Sequence, residues 1–293
     1  MRIMEQLTPS QCEKETLFIP ASRVGRSHET KAISRTTAGI SPGISGAMQD
    51  GADLRTRAAR LNELLAALPP DERLEQFCRA VAGRLVFTTS FGLEDQTILH
   101  MLHEQAIEVE VVTLDTGRLF SETYTLWAET ERRYGQRIRA VYPQQSQLEG
   151  LVEKYGINGF YDLREARSAC CHVRKVEPLN RVLAGAAAWI VGLRADQSGN
   201  RQSTALVSVD DRGLLKFSPL LDWTREAVET YAITHRVPVN PLHARGYVSI
   251  GCAPCTRAIA LGESERAGRW WWEQDDQKEC GLHSQNGAKA SQR

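Results

Sequence analysis

The 293-residue chain is 42% hydrophobic and 25% charged, a globular composition with enough apolar material for one large domain or two small ones. Its formal net charge is zero, which excludes an overall field favouring nucleic acid or an anionic membrane, so any anion site must be local. The longest apolar stretch, LAGAAAWIVGL at 183–193, is too short to span a bilayer, and the first residues, MRIMEQLTPSQCEKET, lack the apolar core of a secretory signal. Seven cysteines, an odd number unevenly placed in a chain too large to need disulfide staples, fit a reducing, cytoplasmic setting with thiols kept for metal or catalysis.

Residues 1–50 are rich in Ser, Thr, Gly and Arg without sustained periodicity and read as a disordered extension, Cys12 included. From 52 the pattern is helical, with Leu54, Ala58, Leu61, Leu64, Leu65 and Leu68 on one face. Pro69 and Pro70 stop it, and a second helix over 71–82 carries Cys78 as a core residue. Strands at 84–89, 108–115 and 137–142 then alternate with helices at 95–105 and 119–135, the pattern of right-handed crossovers in a parallel sheet. A helix over 163–176 ends before Pro178, a buried strand covers 188–193, a hairpin over 204–220 turns at Asp211–Gly213, and 223–236 is helical. The chain becomes irregular beyond Gly251. These boundaries give an α/β domain over 51–262 and a flexible segment over 263–293.

In a parallel sheet, ligands bind beyond the carboxyl ends of the strands. The first such loop reads SFGLED, and Ser90, Phe91 and Gly92 are its candidate anion contacts, through backbone N–H groups and the following helix N-terminus. Taken alone, the loop reads better as a tight turn capped by Ser90 or Asp95. The second reads LDTGR: Asp115 and Thr116 can meet a ribose or base edge, Gly117 permits close approach, and Arg118 offers a fork for phosphate or sulfate. The later loop GLRADQSGNRQS adds Arg194 and Arg201. Polar loops on neighbouring strands together favour a nucleotide site over solvated turns.

Cys170 and Cys171 in SACCHVRK and Cys252 and Cys255 in GCAPC make four thiols, the number that a [4Fe–4S] cluster or an all-cysteine zinc site requires. Adjacent helical side chains diverge by about 100°. A polynuclear cluster accepts two neighbouring ligands more readily than one tetrahedral zinc, which favours iron–sulfur without excluding zinc. Lys175 shares the helical face of Cys171 and would offset the charge of such a group. Cys280, in ECGLH with His283 three residues on and Arg266 and Arg269 upstream, has the basic and accessible surroundings of a reactive thiolate.

SFGLED, LDTGR, CCHVRKVEPL, GLRADQS, GCAPC and ECGLH, in this order over roughly 52–284, resemble the assimilatory adenylyl-sulfate reductases, relatives of the phosphoadenylyl-sulfate reductases in the adenine-nucleotide alpha-hydrolase superfamily. The resemblance implies a Rossmann-like twisted parallel sheet with flanking helices and a mobile C-terminal segment. It implies a [4Fe–4S] cluster on Cys170, Cys171, Cys252 and Cys255, with Cys280 as nucleophile and Lys175 and His283 beside it. Filled cluster positions imply adenosine 5′-phosphosulfate as substrate, rather than its 3′-phosphorylated form. The expected chemistry is thioredoxin-dependent reduction to sulfite and AMP through a thiosulfonate on Cys280, serving sulfate assimilation and cysteine biosynthesis, with Lys175, Arg194, Arg266 and Arg269 relieving anionic repulsion. The chain stops 13 residues after Cys280, so the reductant, thioredoxin or a glutaredoxin-like protein, is expected from outside. Neither nucleic acid nor membrane is an expected partner, and a homo-oligomer is left open. A tRNA-thiolation enzyme of the same superfamily would carry a second glycine where Phe91 stands.

Overall fold

In the computed structural model the described residues are 44–197, 204–273 and Leu282, with side chains described from Asp53 onward. The expectations for residues 1–43 and for Arg201, Cys280 and His283 lie outside the described residues.

Two helices come first, α1 (Ile44–Leu65) and α2 (Pro70–Ala80). α1 begins inside the segment expected to be an extension. It buries Ala58, Leu61 and Leu65, but Leu64 is 52% exposed. Leu64 lies about 100° around the helix from Leu65, at the solvent edge of the apolar face. Cys78 is half-buried against the core, and burial pushes its thiol up to about 12. β1 (Leu85–Thr89), α3 (Leu93–Glu104), β2 (Glu110–Leu114), α4 (Ser121–Tyr134) and β3 (Arg139–Val141) then alternate. α5 (Gln145–Tyr155), which the sequence reading left unassigned, buries none of its residues fully.

α6 (Arg164–Cys171) ends on the paired cysteines and passes through a π-turn (His172–Val176) into α7 (Glu177–Leu183). The helix therefore runs through Pro178 instead of stopping before it. The π-turn, closed by the Glu177 N–H on the His172 carbonyl, widens the ladder just ahead of the proline, which sits in the first turn of α7 where a missing N–H costs little. β4 (Ala188–Ile190) follows. β5 (Val207–Val209) and β6 (Leu215–Phe217) form the expected hairpin, with Gly213 at φ +75° in its turn. α8 (Arg225–Thr234) is the last long helix described.

The sheet order is β3-β2-β1-β4-β6-β5; all neighbours are parallel except β5, which runs antiparallel to β6. Alternation along the strands divides the core. Leu85, Phe87, Val111, Ile190 and Phe217 face one side, with α1 to α4 and α8; Val86, Val112, Trp189 and Val191 face the other, with α7. Strand order reverses between β1 and β4, and in an open parallel sheet that reversal opens a crevice beyond the carboxyl ends. Among the described residues no helix is long and apolar enough to cross a membrane.

Candidate active site

A cavity of about 210 Å³ lies at this reversal, floored by the ends of β1, β2 and β4. Its apolar wall includes Leu114, Leu179, Trp189, Val191 and Leu282, a surface suited to a flat base. Its polar wall includes Ser90, Gly92, Thr116, Lys175, Arg266 and Arg269.

The SFGLED loop is shaped from within. Ser90 donates its N–H and its hydroxyl to Asp95 Oδ2 at 2.7 and 2.8 Å, and Phe91 N–H donates to Thr89 Oγ1 at 3.0 Å. The amides of Ser90 and Phe91 are thus spent inside the loop, and an anion is left the first turn of α3. Phe91 is no substrate contact: it is buried at φ +58° and stacks on Trp127, with ring centroids 5.6 Å apart. Burial raises the Asp95 carboxyl to about 6 in spite of the hydrogen bonds from Ser90.

The LDTGR loop also divides its labour differently from expectation. Asp115 accepts from Gly117 N–H at 2.8 Å and from the Tyr124 hydroxyl at 2.7 Å, so Asp115 and Gly117 build the turn and do not border the cavity. Thr116 does border it, and its hydroxyl lies 3.3 Å from Cys252 Sγ. Arg118 turns away. It donates to Asn158 Oδ1 at 3.1 Å and to the Ile157 carbonyl at 2.5 Å, and its guanidinium lies over Phe160. Its own carbonyl accepts from Ala253 N–H at 2.8 Å, tying this loop to the Cys-x-x-Cys turn.

The four expected cysteines come together. Cys170, Cys171, Cys252 and Cys255 are free thiols lining one cavity, beside the first, with Arg118, Arg167, Arg174 and Lys175 around them and no carboxylate in the lining. Phe160 and Trp270 complete its walls. Buried donors stand near: Arg174 Nε and Trp270 Nε1 have no hydrogen-bond partner among the described residues. Burial raises the thiols of Cys170 and Cys255, the latter to about 12. Burial acts the same way on Cys252, but Lys175, the Thr116 hydroxyl, Arg269 and Arg174 outweigh it and hold this thiol below its ordinary value. Among the described residues no three donors close on a single metal-ion position.

Lys175 and Trp270 border both cavities. The π-turn sets this placement: Arg174, one residue earlier, is buried and donates to the Thr116 carbonyl at 2.5 Å. Arg194, expected as a substrate ligand, is 0% exposed and absent from the cavity wall. It is held by Glu94, Asp196 and Glu265. The segment expected to be flexible from 263 is pinned as far as 273: Thr256 bridges Arg269, Trp270 N–H donates to the Cys255 carbonyl at 3.1 Å, and Glu273 pairs with Arg167. Sequence reasoning missed Gln197, Glu265, Trp270 and Leu282 at the cavity. The Gly251 in GCAPC was the available signal for Trp270 and its neighbours, since a Cβ there would overlap the Arg269 guanidinium.

Residues 84–258 match the phosphoadenosine phosphosulfate reductase domain family. An adenosine 5′-phosphosulfate reductase from Agrobacterium fabrum (strain C58) is 53% identical over 226 residues, covering 77% of this chain and 86% of that one. One from Sinorhizobium fredii (strain USDA 257) is 52% identical over 231 residues, covering 78% and 92%. Among solved structures, a phosphoadenylyl-sulfate reductase from Candida auris in a phosphate complex superposes with a TM-score of 0.60 at 25% identity, covering 76% of this chain and all of that one. The matched span runs from the start of β1 through the Cys-x-x-Cys turn and so takes in both cavities; by that span and these identities the chain belongs to the phosphoadenosine phosphosulfate reductase domain family.

Proposed function

We propose that this chain reduces adenosine 5′-phosphosulfate to sulfite and AMP, using an external dithiol protein of the thioredoxin or glutaredoxin kind. The observation that carries the reading is the sharing of Lys175 between a nucleotide-sized cavity at the strand-order reversal and the cavity of four cysteines. Relatives at about half identity that bear the adenosine 5′-phosphosulfate reductase name support this substrate over the 3′-phosphorylated one.

The base lies against Leu114, Leu179 and Trp189, and the 5′-phosphate meets the first turn of α3. Lys175, Arg266 and Arg269 receive the sulfonate and offset the repulsion between it and an incoming thiolate. Cys280, two residues from the cavity-lining Leu282, attacks sulfur. The bond from sulfur to the bridging oxygen breaks, its electron pair leaves with AMP, and Cys280 carries a thiosulfonate. A thiolate of the reductant then attacks Cys280 Sγ, and sulfite departs with the electron pair of the S–S bond. The reductant's second thiol resolves the mixed disulfide and returns Cys280 as a thiol, so two electrons pass from dithiol to sulfonate sulfur. His283 stands in the same motif as a proton carrier for the departing groups.

The cysteine cavity suits a [4Fe–4S] group by its donors: four thiols, four surrounding cations and no carboxylate in the lining. Cys170, Cys171, Cys252 and Cys255 would hold it, and when bound it would supply a fixed charge beside Lys175.

Mass spectrometry of the anaerobically purified protein mixed with substrate and no reductant tests the reading. A sulfonate adduct on Cys280 is expected, and none in Cys280→Ser. An adduct on another cysteine, or sulfite production by Cys280→Ser, overturns it.

A further inference from the structure

Arg266 and Arg269 reach the cavity from a short turn. Arg269 N–H donates to the Arg266 carbonyl at 2.9 Å and Ala267 N–H to the Ser264 carbonyl at 2.9 Å, so the two arginines stand on one tight loop. Its far end is secured by the bridge from Arg269 to Thr256 and by buried Trp270. Its near end has no apolar anchor: residues 260–264 are exposed, and Leu261 fully so. On that side the exposed Glu263 pairs with Arg257 at 2.7 and 2.8 Å, and Glu265 is the first residue that is not exposed.

Glu265 meets Arg194. Arg194 Nη2 donates to both Glu265 oxygens at 2.9 Å, so one guanidinium nitrogen chelates the carboxylate. Arg225 adds a longer bond at 3.4 Å. Arg194 Nε donates to Glu94 Oε1 at 2.7 Å in the first turn of α3, and Nη1 is held by Asp196. Gln197 doubles the link, donating to the same Glu94 oxygen at 2.9 Å. One guanidinium without exposed surface thus joins three loops: the one after β1, the one after β4, and the arginine turn.

We propose that Arg194 and Glu265 are positioning residues, a latch that sets Arg266 and Arg269 against the sulfonate end of the cavity while Arg194, with Gln197 beside it, holds the phosphate end through Glu94. The inference rests on the functional reading above. It separates the two ends of the ligand. AMP has the phosphate and lacks the sulfonate. Breaking the Glu265 side therefore weakens the sulfated nucleotide and spares AMP, whereas breaking Arg194 weakens both.

The test uses the intact protein in steady state, with KM for adenosine 5′-phosphosulfate and the competitive inhibition constant of AMP. Glu265→Gln is expected to raise KM at least fivefold and leave the AMP constant within twofold. Arg194→Lys keeps the charge but cannot reach Glu94, Asp196 and Glu265 together, and is expected to raise both at least fivefold. A fold defect alone lowers the amount of active enzyme, and with it kcat, without moving KM. KM within twofold of the parent in either variant overturns the latch, and so does a parallel rise of both constants in Glu265→Gln. If the parent protein makes no sulfite from the nucleotide, the functional reading itself fails; an active parent with silent variants sinks only the latch.

Discussion

The pairing of Arg167 with Glu273 decides whether the segment after the Cys-x-x-Cys turn is part of the fold. Arg167 stands on α6, three residues before Cys170, and its side chain is 4% exposed; that of Glu273 is 8% exposed. Two bonds join them, Nε to Oε1 at 2.8 Å and Nη2 to Oε2 at 2.7 Å, and the guanidinium lies 5.0 Å over the Trp270 ring. Glu273→Leu leaves that guanidinium buried without its carboxylate. Breaking a buried pair from one side costs about 3–5 kcal/mol. For a domain of this size each kcal/mol moves the melting point by roughly 2–4 °C, so the loss is about 6–20 °C. Replacing both partners, Arg167→Met with Glu273→Leu, removes the stranded charge and is expected to recover most of the loss. Arg167 also interacts with Cys171, so iron content is measured beside circular-dichroism melting of the anaerobic protein. A single variant that melts within about 1 °C of the parent refutes the claim that residues 263–273 are built into the domain.

Two further outcomes follow from the loop after β1. A Cβ on Gly192 would overlap the Asp95 carboxylate and stand 3.2 Å from Asp95 N, so Gly192→Ala is expected to push on the first turn of α3 and weaken AMP about tenfold, roughly 1.4 kcal/mol, as read by AMP inhibition; unchanged inhibition counts against that loop as the phosphate site. Burial raises Asp95 to about 6 from an ordinary 3.8, so the folded state holds this proton more tightly than the unfolded chain. Its contribution is full below the ordinary value and is lost as pH rises towards about 6, a change of about 3 kcal/mol. Asp95→Asn removes that slope, and urea unfolding between pH 4 and 7 is expected to show parent and variant diverging across this window; parallel curves disprove the shift.

The strands were legible because both faces of the sheet are covered: Val86 and Phe87, or Val111 and Val112, point to opposite cores and read as continuous apolar runs. α5 was left unassigned although Leu148, Leu151, Val152 and Tyr155 recur at helical spacing, and that face is only half-buried in the fold. Loop positions could be read from motifs, but not where long side chains end. Arg118 and Arg194 stand on the loops expected to bind anions, yet each guanidinium turns to partners supplied by distant segments, Asn158 for one and Glu265 for the other. The four cysteines were found because their chemistry is specific. The π-turn behind the first pair was not, because Pro178 reads as a helix stop until its ladder is seen to be open already.

The wall between the two cavities explains why cations are so dense there. Lys175 faces both, and Thr116 lines one while touching the sulfur of Cys252 in the other. With the proposed cluster and sulfonate both bound, a single lysine between them would not fully neutralise both, since each lowers the field it offers the other over distances at which a low-dielectric interior screens weakly. Cys252 already draws on Lys175 and Arg269 in its own ionisation. The sulfonate end therefore needs positive charge from a second source. Arg266, on the turn it shares with Arg269, is such a source, and Glu265 ties the near end of that turn to Arg194, its carboxyl raised by burial and stabilised by Arg194. The precision of the anion site is thus set by a buried arginine that the anion never meets.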